Sequence, residues 1–179
     1  MRYFVRICLK LGKLVALVAA KNKGASFDAL KTEALSFYRQ GRSRTDVFAR
    51  HMAPLPLERV YGTLLLASAS RIESEIVVSL KLHGKDSSQV AGSLLDTSML
   101  YLEQGWAQMQ RLYPYKPLTR RFILERYKTL AKMAGSDRGA FSAKLAQRDR
   151  TTLESLSVGS VFWKEILGRL RGQPLANSE

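Results

Sequence analysis

The chain has 179 residues, with 29 Lys and Arg against 15 Asp and Glu, a formal charge of +14. Its 46% apolar share belongs to a folded chain and not a disordered one, and at this length roughly 70% of the unfolded surface can be buried without a staple. A single cysteine, Cys8, excludes an internal disulfide; two histidines, His51 and His83, leave too few ligands for most His/Cys metal sites; and no apolar run approaches the about 18 residues of a membrane span.

The first acidic residue is Asp28, after Arg2, Arg6, Lys10, Lys13, Lys21 and Lys23. Phe4, Ile7, Leu11, Leu14 and Val18 recur at spacings of three and four, which is one helical face, and Arg2, Arg6, Lys10 and Lys13 follow the rows of another. Residues 1–23 therefore read as a basic amphipathic helix. Such a segment also fits an organelle presequence, and Leu14–Ala20 fits a short secretory core; a retained helix on a membrane surface or in a partner's groove is the preferred reading.

A second helix opens near Ser26, with Phe27, Leu30, Ala34, Phe37 and Tyr38 on one face and a stop expected at Gly41. A short helix is expected from Thr45 to Met52, then a break at Pro54 and Pro56. Val60, Leu64, Ile72, Ile76 and Leu80 mark a long helix over 57–83, closed by Gly84, with small residues Ser68, Ala69 and Ser70 suited to a close crossing. Asp86 or Ser87 caps the next, over 86–112, lined by Ala91, Leu94, Leu95, Leu102, Trp106 and Met109. The short link between them predicts an antiparallel hairpin. Asp96 and Glu103 share a neighbouring stripe, expected to face water.

Pro114 and Pro117 frame a stiff connector before a helix over 118–134. Ile123, Tyr127, Leu130 and Ala134 are expected inside it, and Arg121, Glu125, Lys128 and Lys132 outside. A short helix over 138–147 and a last one opened by the capping box Thr151–Glu154 complete the pattern. The expectation is an all-α fold, an irregular bundle of about six to eight helices around the 57–83 and 86–112 hairpin. Its parts are the basic helix 1–23, one helical domain over 24–174 and a tail over 175–179.

The charge excess lies in two blocks, +8 over 1–50 and +8 over 111–150, beside −2 over 51–110 and balance over 151–179. Charges of magnitude about 2 to 8 suffice for solubility, so the excess points to an anionic partner. Candidate contacts are Arg2, Arg6, Lys10, Lys13, Arg111, Lys116, Arg120, Arg121, Lys128, Lys132, Arg138 and Lys144.

Catalytic signatures are missing. The two histidines are 32 residues apart, Gly84-Lys85 is followed by Asp86 where a phosphate loop needs Ser or Thr, and Cys8 reads as a small packed side chain. Glu73 and Glu75, two apart, point away from each other on a helix. No cofactor or metal site is expected. The resulting reading is a non-catalytic accessory or scaffold subunit. It docks on other protein subunits of a larger assembly, with an anionic lipid surface or nucleic acid as further partners and no transmembrane span. A mitochondrial matrix-side or bacterial cytoplasmic setting fits better than secretion.

Two alternatives stand beside it. Residues 127–146 resemble a helix-turn-helix, with Ala131 and Gly135 at the small and turn positions, Phe141 buried in the second helix, and Arg138, Ser142 and Lys144 toward a groove. The mixture of Arg111, Lys116, Arg120, Arg121, Arg126 and Lys128 with Tyr113, Tyr115, Phe122 and Tyr127 suits unpaired bases as well as a helical core. The other alternative is an enzyme whose site is assembled from dispersed residues.

Overall fold

A computed structural model describes residues 2–22, 24, 26–51, 54–111 and 116–134. All regular structure among them is helical: α1 (Arg2–Lys21), α2 (Phe27–His51), α3 (Pro56–Leu80), a 3-10 turn (Gly84–Asp86), α4 (Ser87–Arg111) and α5 (Lys116–Ala134). The helices expected over 138–147 and from Thr151 onward lie outside the described residues. The chain divides into two compact units, Met1–Pro114 and Tyr115–Glu179.

In the first unit α1 packs on α2 and α3, and α3 packs on α1, α2 and α4. With that many neighbours α3 is buried round most of its circumference, from Val60 through Leu64, Leu65, Ile72 and Ile76 to Leu80. Leu55 is held extended because a proline follows it, and Pro56 opens α3 at the one position where a missing N–H costs nothing. The helix stops at Lys81, earlier than the expected Gly84. Lys81 adopts the left-handed conformation (φ 48°), so that its own N–H and that of Leu82 return to the last carbonyls. Ser87 then ties the turn: its hydroxyl accepts from the His83 N–H (3.3 Å) and donates to the Gly84 carbonyl (2.8 Å). Across α3 and α4 the fully buried Ser98 hydroxyl donates to the Ala67 carbonyl (2.9 Å), next to the small residues 68–70 of α3.

Gly41 does not stop α2, which runs unbroken from Phe27 to His51 and absorbs the short helix expected at 45–52. The glycine serves packing instead. A Cβ there would lie 3.0 Å from Leu9 Cδ2 and 3.1 Å from the Leu9 backbone nitrogen. Gly12 does the same from the other side: its Cβ would meet the Tyr38 nitrogen at 2.9 Å and the Ala34 carbonyl oxygen at 3.0 Å. Helices α1 and α2 therefore meet backbone against backbone.

In the second unit only α5 is described. It buries Leu118, Phe122, Ile123, Thr129 and Leu130. Glu125, expected on the outer stripe, is buried as well, while Arg121, Lys128 and Lys132 are exposed.

Candidate interaction surface

The inward face of α1 is made of Val5, Cys8, Leu9, Gly12, Ala16 and Ala19. All but Leu9 are small or medium, as the close approach to α2 demands. Helical periodicity then turns the other set outward. Phe4, Ile7, Leu14, Leu17 and Val18 are between 40% and 57% exposed, and Tyr3 is 78% exposed. The face read from spacing alone is real, and it points to solvent. Lys10 and Lys21 stand exposed on the same side. Solvated helix surfaces do not normally carry their largest apolar residues in one row.

The cations of α1 divide. Arg2 pairs with Glu58 (3.2 Å) and its guanidinium sits 4.3 Å from the Tyr61 ring centre. Lys13 pairs with Glu75 (2.7 Å), which also accepts from Arg71 in a pair whose side chains are both 8% exposed. Arg6 is half-buried. So two of the four candidates in this block bind α1 to α3, and Lys10 remains turned to solvent.

Helix α2 makes a second polar junction with α3. The Tyr38 hydroxyl donates to Glu73, whose carboxylate lies 3.9 Å from Arg42; Arg42 also reaches Asp46 (3.3 Å) and Ser70 (3.5 Å). Burial, then the Glu73 hydrogen bond and charge, push the Tyr38 phenol far above its ordinary value, with Arg42 opposing. Burial alone would lower Arg42, but Tyr38, Asp46 and Glu73 outweigh it and raise it. Glu73 and Glu75 thus face different neighbours, and no cluster of three or more potential metal ligands occurs among the described residues.

Outside this junction lies an open depression of about 310 Å³, lined by Tyr38, Arg39, Arg42, Ser43, Asp46, Val47 and Arg50. Arg39 and nearby Arg44 are exposed and have no carboxylate partner among the described residues. Sequence reasoning missed this row. The helical spacing of 39, 43, 46 and 50 signals it, but a stop at Gly41 severs Arg39 from Arg50.

Of the second block, Arg111 ends α4 and is exposed; Lys116 opens α5; Arg120, Arg121, Lys128 and Lys132 are exposed on α5, Lys128 4.0 Å from Glu125. Arg138 and Lys144, with the second half of the helix-turn-helix-like segment, lie outside the described residues, as do Tyr113 and Tyr115. Phe122 is buried and not free to stack on a base. His51 and His83 are exposed, and Cys8 is buried as a free thiol. No described helix is long and apolar enough to cross a membrane. Comparison with known proteins brings no matching family model, no matching curated protein and no matching solved structure.

Proposed function

We propose that the chain is a non-catalytic, basic helical accessory subunit that docks onto an anionic surface of a larger assembly, a membrane complex of an organelle or bacterium or a ribonucleoprotein. An irregular bundle of about six to eight helices, framed by the 57–83 and 86–112 hairpin, is the scaffold in this reading. The observation that carries it is the partition of charge. Glu58, Glu73, Glu75 and Asp46 are spent on internal partners, while Lys10, Lys21, Arg39, Arg44, Arg111 and Arg120 stand exposed with no carboxylate beside them among the described residues. A surface left so positive attracts polyanions over about a Debye length and steers their approach.

The test is retention of the full chain on an immobilised polyanion as salt rises. Arg39→Gln, Arg44→Gln, Lys10→Gln and Lys21→Gln together should elute at clearly lower salt with an unchanged circular dichroism spectrum. Elution of this variant together with the unaltered chain would overturn the reading.

A further inference from the structure

We infer that the outward face of α1 lies in the headgroup region of an anionic lipid bilayer, with Phe4, Ile7, Leu14, Leu17 and Val18 immersed and Lys10 and Lys21 on lipid phosphates. This rests on the docking reading above and names the anionic surface.

The face cannot be a helix waiting to turn over. Gly12 and Gly41 hold α1 against the backbone of α2 at distances that admit no Cβ, and Lys13 ties it to Glu75 of α3. Its orientation is built in, and the large apolar residues are on the outside by construction. From Tyr3 to Lys21 the row runs for about 27 Å, a ridge on the outer side of a helix. The Arg2–Glu58 pair brings the start of α3 to the same end, where Leu55 and Leu57 are also exposed.

Charge selects what covers this ridge. A second copy of the chain would set lysine against lysine at a formal +14 on each side. The occupant must be apolar and negative together. An anionic bilayer offers both everywhere on its surface and deforms around a ridge, whereas a protein needs a matching groove. Lys10 and Lys21 have aliphatic stems long enough to lie beside immersed neighbours while their ammonium groups reach the phosphates. Tyr3, at the end of the row, has the amphipathic ring that favours the same depth. Because no described helix can cross the membrane, α1 lies along it.

The experiment is co-flotation of the full chain with vesicles of phosphatidylcholine, alone or with one third phosphatidylglycerol, from about 50 mM to about 200 mM salt. The chain should float with the anionic vesicles and far less with the neutral ones. Ile7→Gln, Leu14→Gln and Leu17→Gln together should cost roughly fivefold each, about a hundredfold in partitioning, with helicity unchanged and a melting temperature lowered by no more than half-exposed side chains forfeit. Lys10→Gln with Lys21→Gln should cost about fivefold per lysine on anionic vesicles only.

Flotation of the glutamine variant as well as the unaltered chain overturns the inference and leaves charge-driven docking standing. So does binding to a single-stranded oligonucleotide without binding to vesicles. A fall in melting temperature in the glutamine variant as large, per site, as that of a fully buried leucine such as Leu9 shows the face covered within the chain, and a dimer that this variant abolishes shows a second copy on it; either result overturns the inference. Binding to neither vesicles nor oligonucleotide at low salt removes the docking reading as well.

Discussion

Two leucines on α1, five residues apart, test which face of that helix is inside. Leu9 is 1% exposed and Leu14 57% exposed. Leu9→Ala removes a side chain whose full burial is worth about 1.5–3 kcal/mol, and it leaves a cavity that the close α1–α2 contact cannot collapse to fill, for a total cost of about 2–5 kcal/mol. Leu14→Ala forfeits less than half of the transfer term and opens no cavity, so it costs about 1 kcal/mol at most. For a chain of this size each kcal/mol moves the melting temperature by about 2–4 °C. The assay is urea and thermal unfolding followed by far-ultraviolet circular dichroism on both variants in parallel. Leu9→Ala should lower the urea midpoint strongly, and Leu14→Ala barely. Hydrophobic periodicity alone assigns the larger loss to Leu14. A Leu14→Ala cost equal to or above that of Leu9→Ala would refute the inward face described above.

A second pair of variants isolates the backbone contact. Gly12→Ala and Gly92→Ala share a helix-propensity gain of about 1 kcal/mol, but a Cβ at Gly92 meets nothing within 4 Å while one at Gly12 meets the α2 backbone. Gly92→Ala should stabilise, and Gly12→Ala should fall about 1–3 kcal/mol below it; equal stabilities would contradict the close approach. The Tyr38 phenol supplies a pH prediction. Its folded pKa is raised above the unfolded 10.0, so its contribution to stability is complete below pH 10 and is lost as pH rises beyond it toward the folded value. Just above that pH the folded chain and Tyr38→Phe should give the same tyrosinate absorbance, differing by one tyrosine only after unfolding in urea. A one-tyrosine difference in the folded state would place Tyr38 in water.

Much of the helical skeleton was legible before any coordinates. The apolar spacing of Val60, Leu64, Ile72, Ile76 and Leu80 marks α3, and all five are buried. Pro56 opens α3 after an extended Leu55, for the expected backbone reason. What could not be read was which partner each face meets. Gly41 carries the same local signal whether it ends a helix or admits a neighbour, and only the position of Leu9 decides. The α1 pattern gives an apolar face but not its direction, because a close helix contact prefers small residues, and those are nearly invisible to a hydrophobicity count. Glu125 fails for a related reason: an i, i+3 lysine at 128 suits a solvated stripe, yet the carboxylate is buried beneath it.

Net charge alone does not say how the charged groups of the first unit are arranged. The near-neutral segment 51–110 looks like a screen between two basic blocks, but three of its carboxylates, Glu58, Glu73 and Glu75, turn inward to Arg2, Arg42, Lys13 and Arg71. A buried pair such as Arg71–Glu75 adds little net stability, because desolvation offsets the attraction. Lys13 on Glu75 and Gly12 on the α2 backbone together set the rotation of α1 about its own axis. Once that angle is set, the 3.6-residue repeat decides that Phe4, Ile7, Leu14 and Val18 emerge on the opposite side with Lys10 and Lys21 among them. The internal ion pairs and the external ridge are therefore one device. The pairs neutralise Glu58, Glu73 and Glu75 together with Arg2, Arg42, Lys13 and Arg71, and they hold the apolar row where a surface both negative and oily can meet it. Long-range attraction brings such a surface in, and short-range burial holds it. Salt should accordingly weaken approach more than it weakens the grip of the immersed side chains.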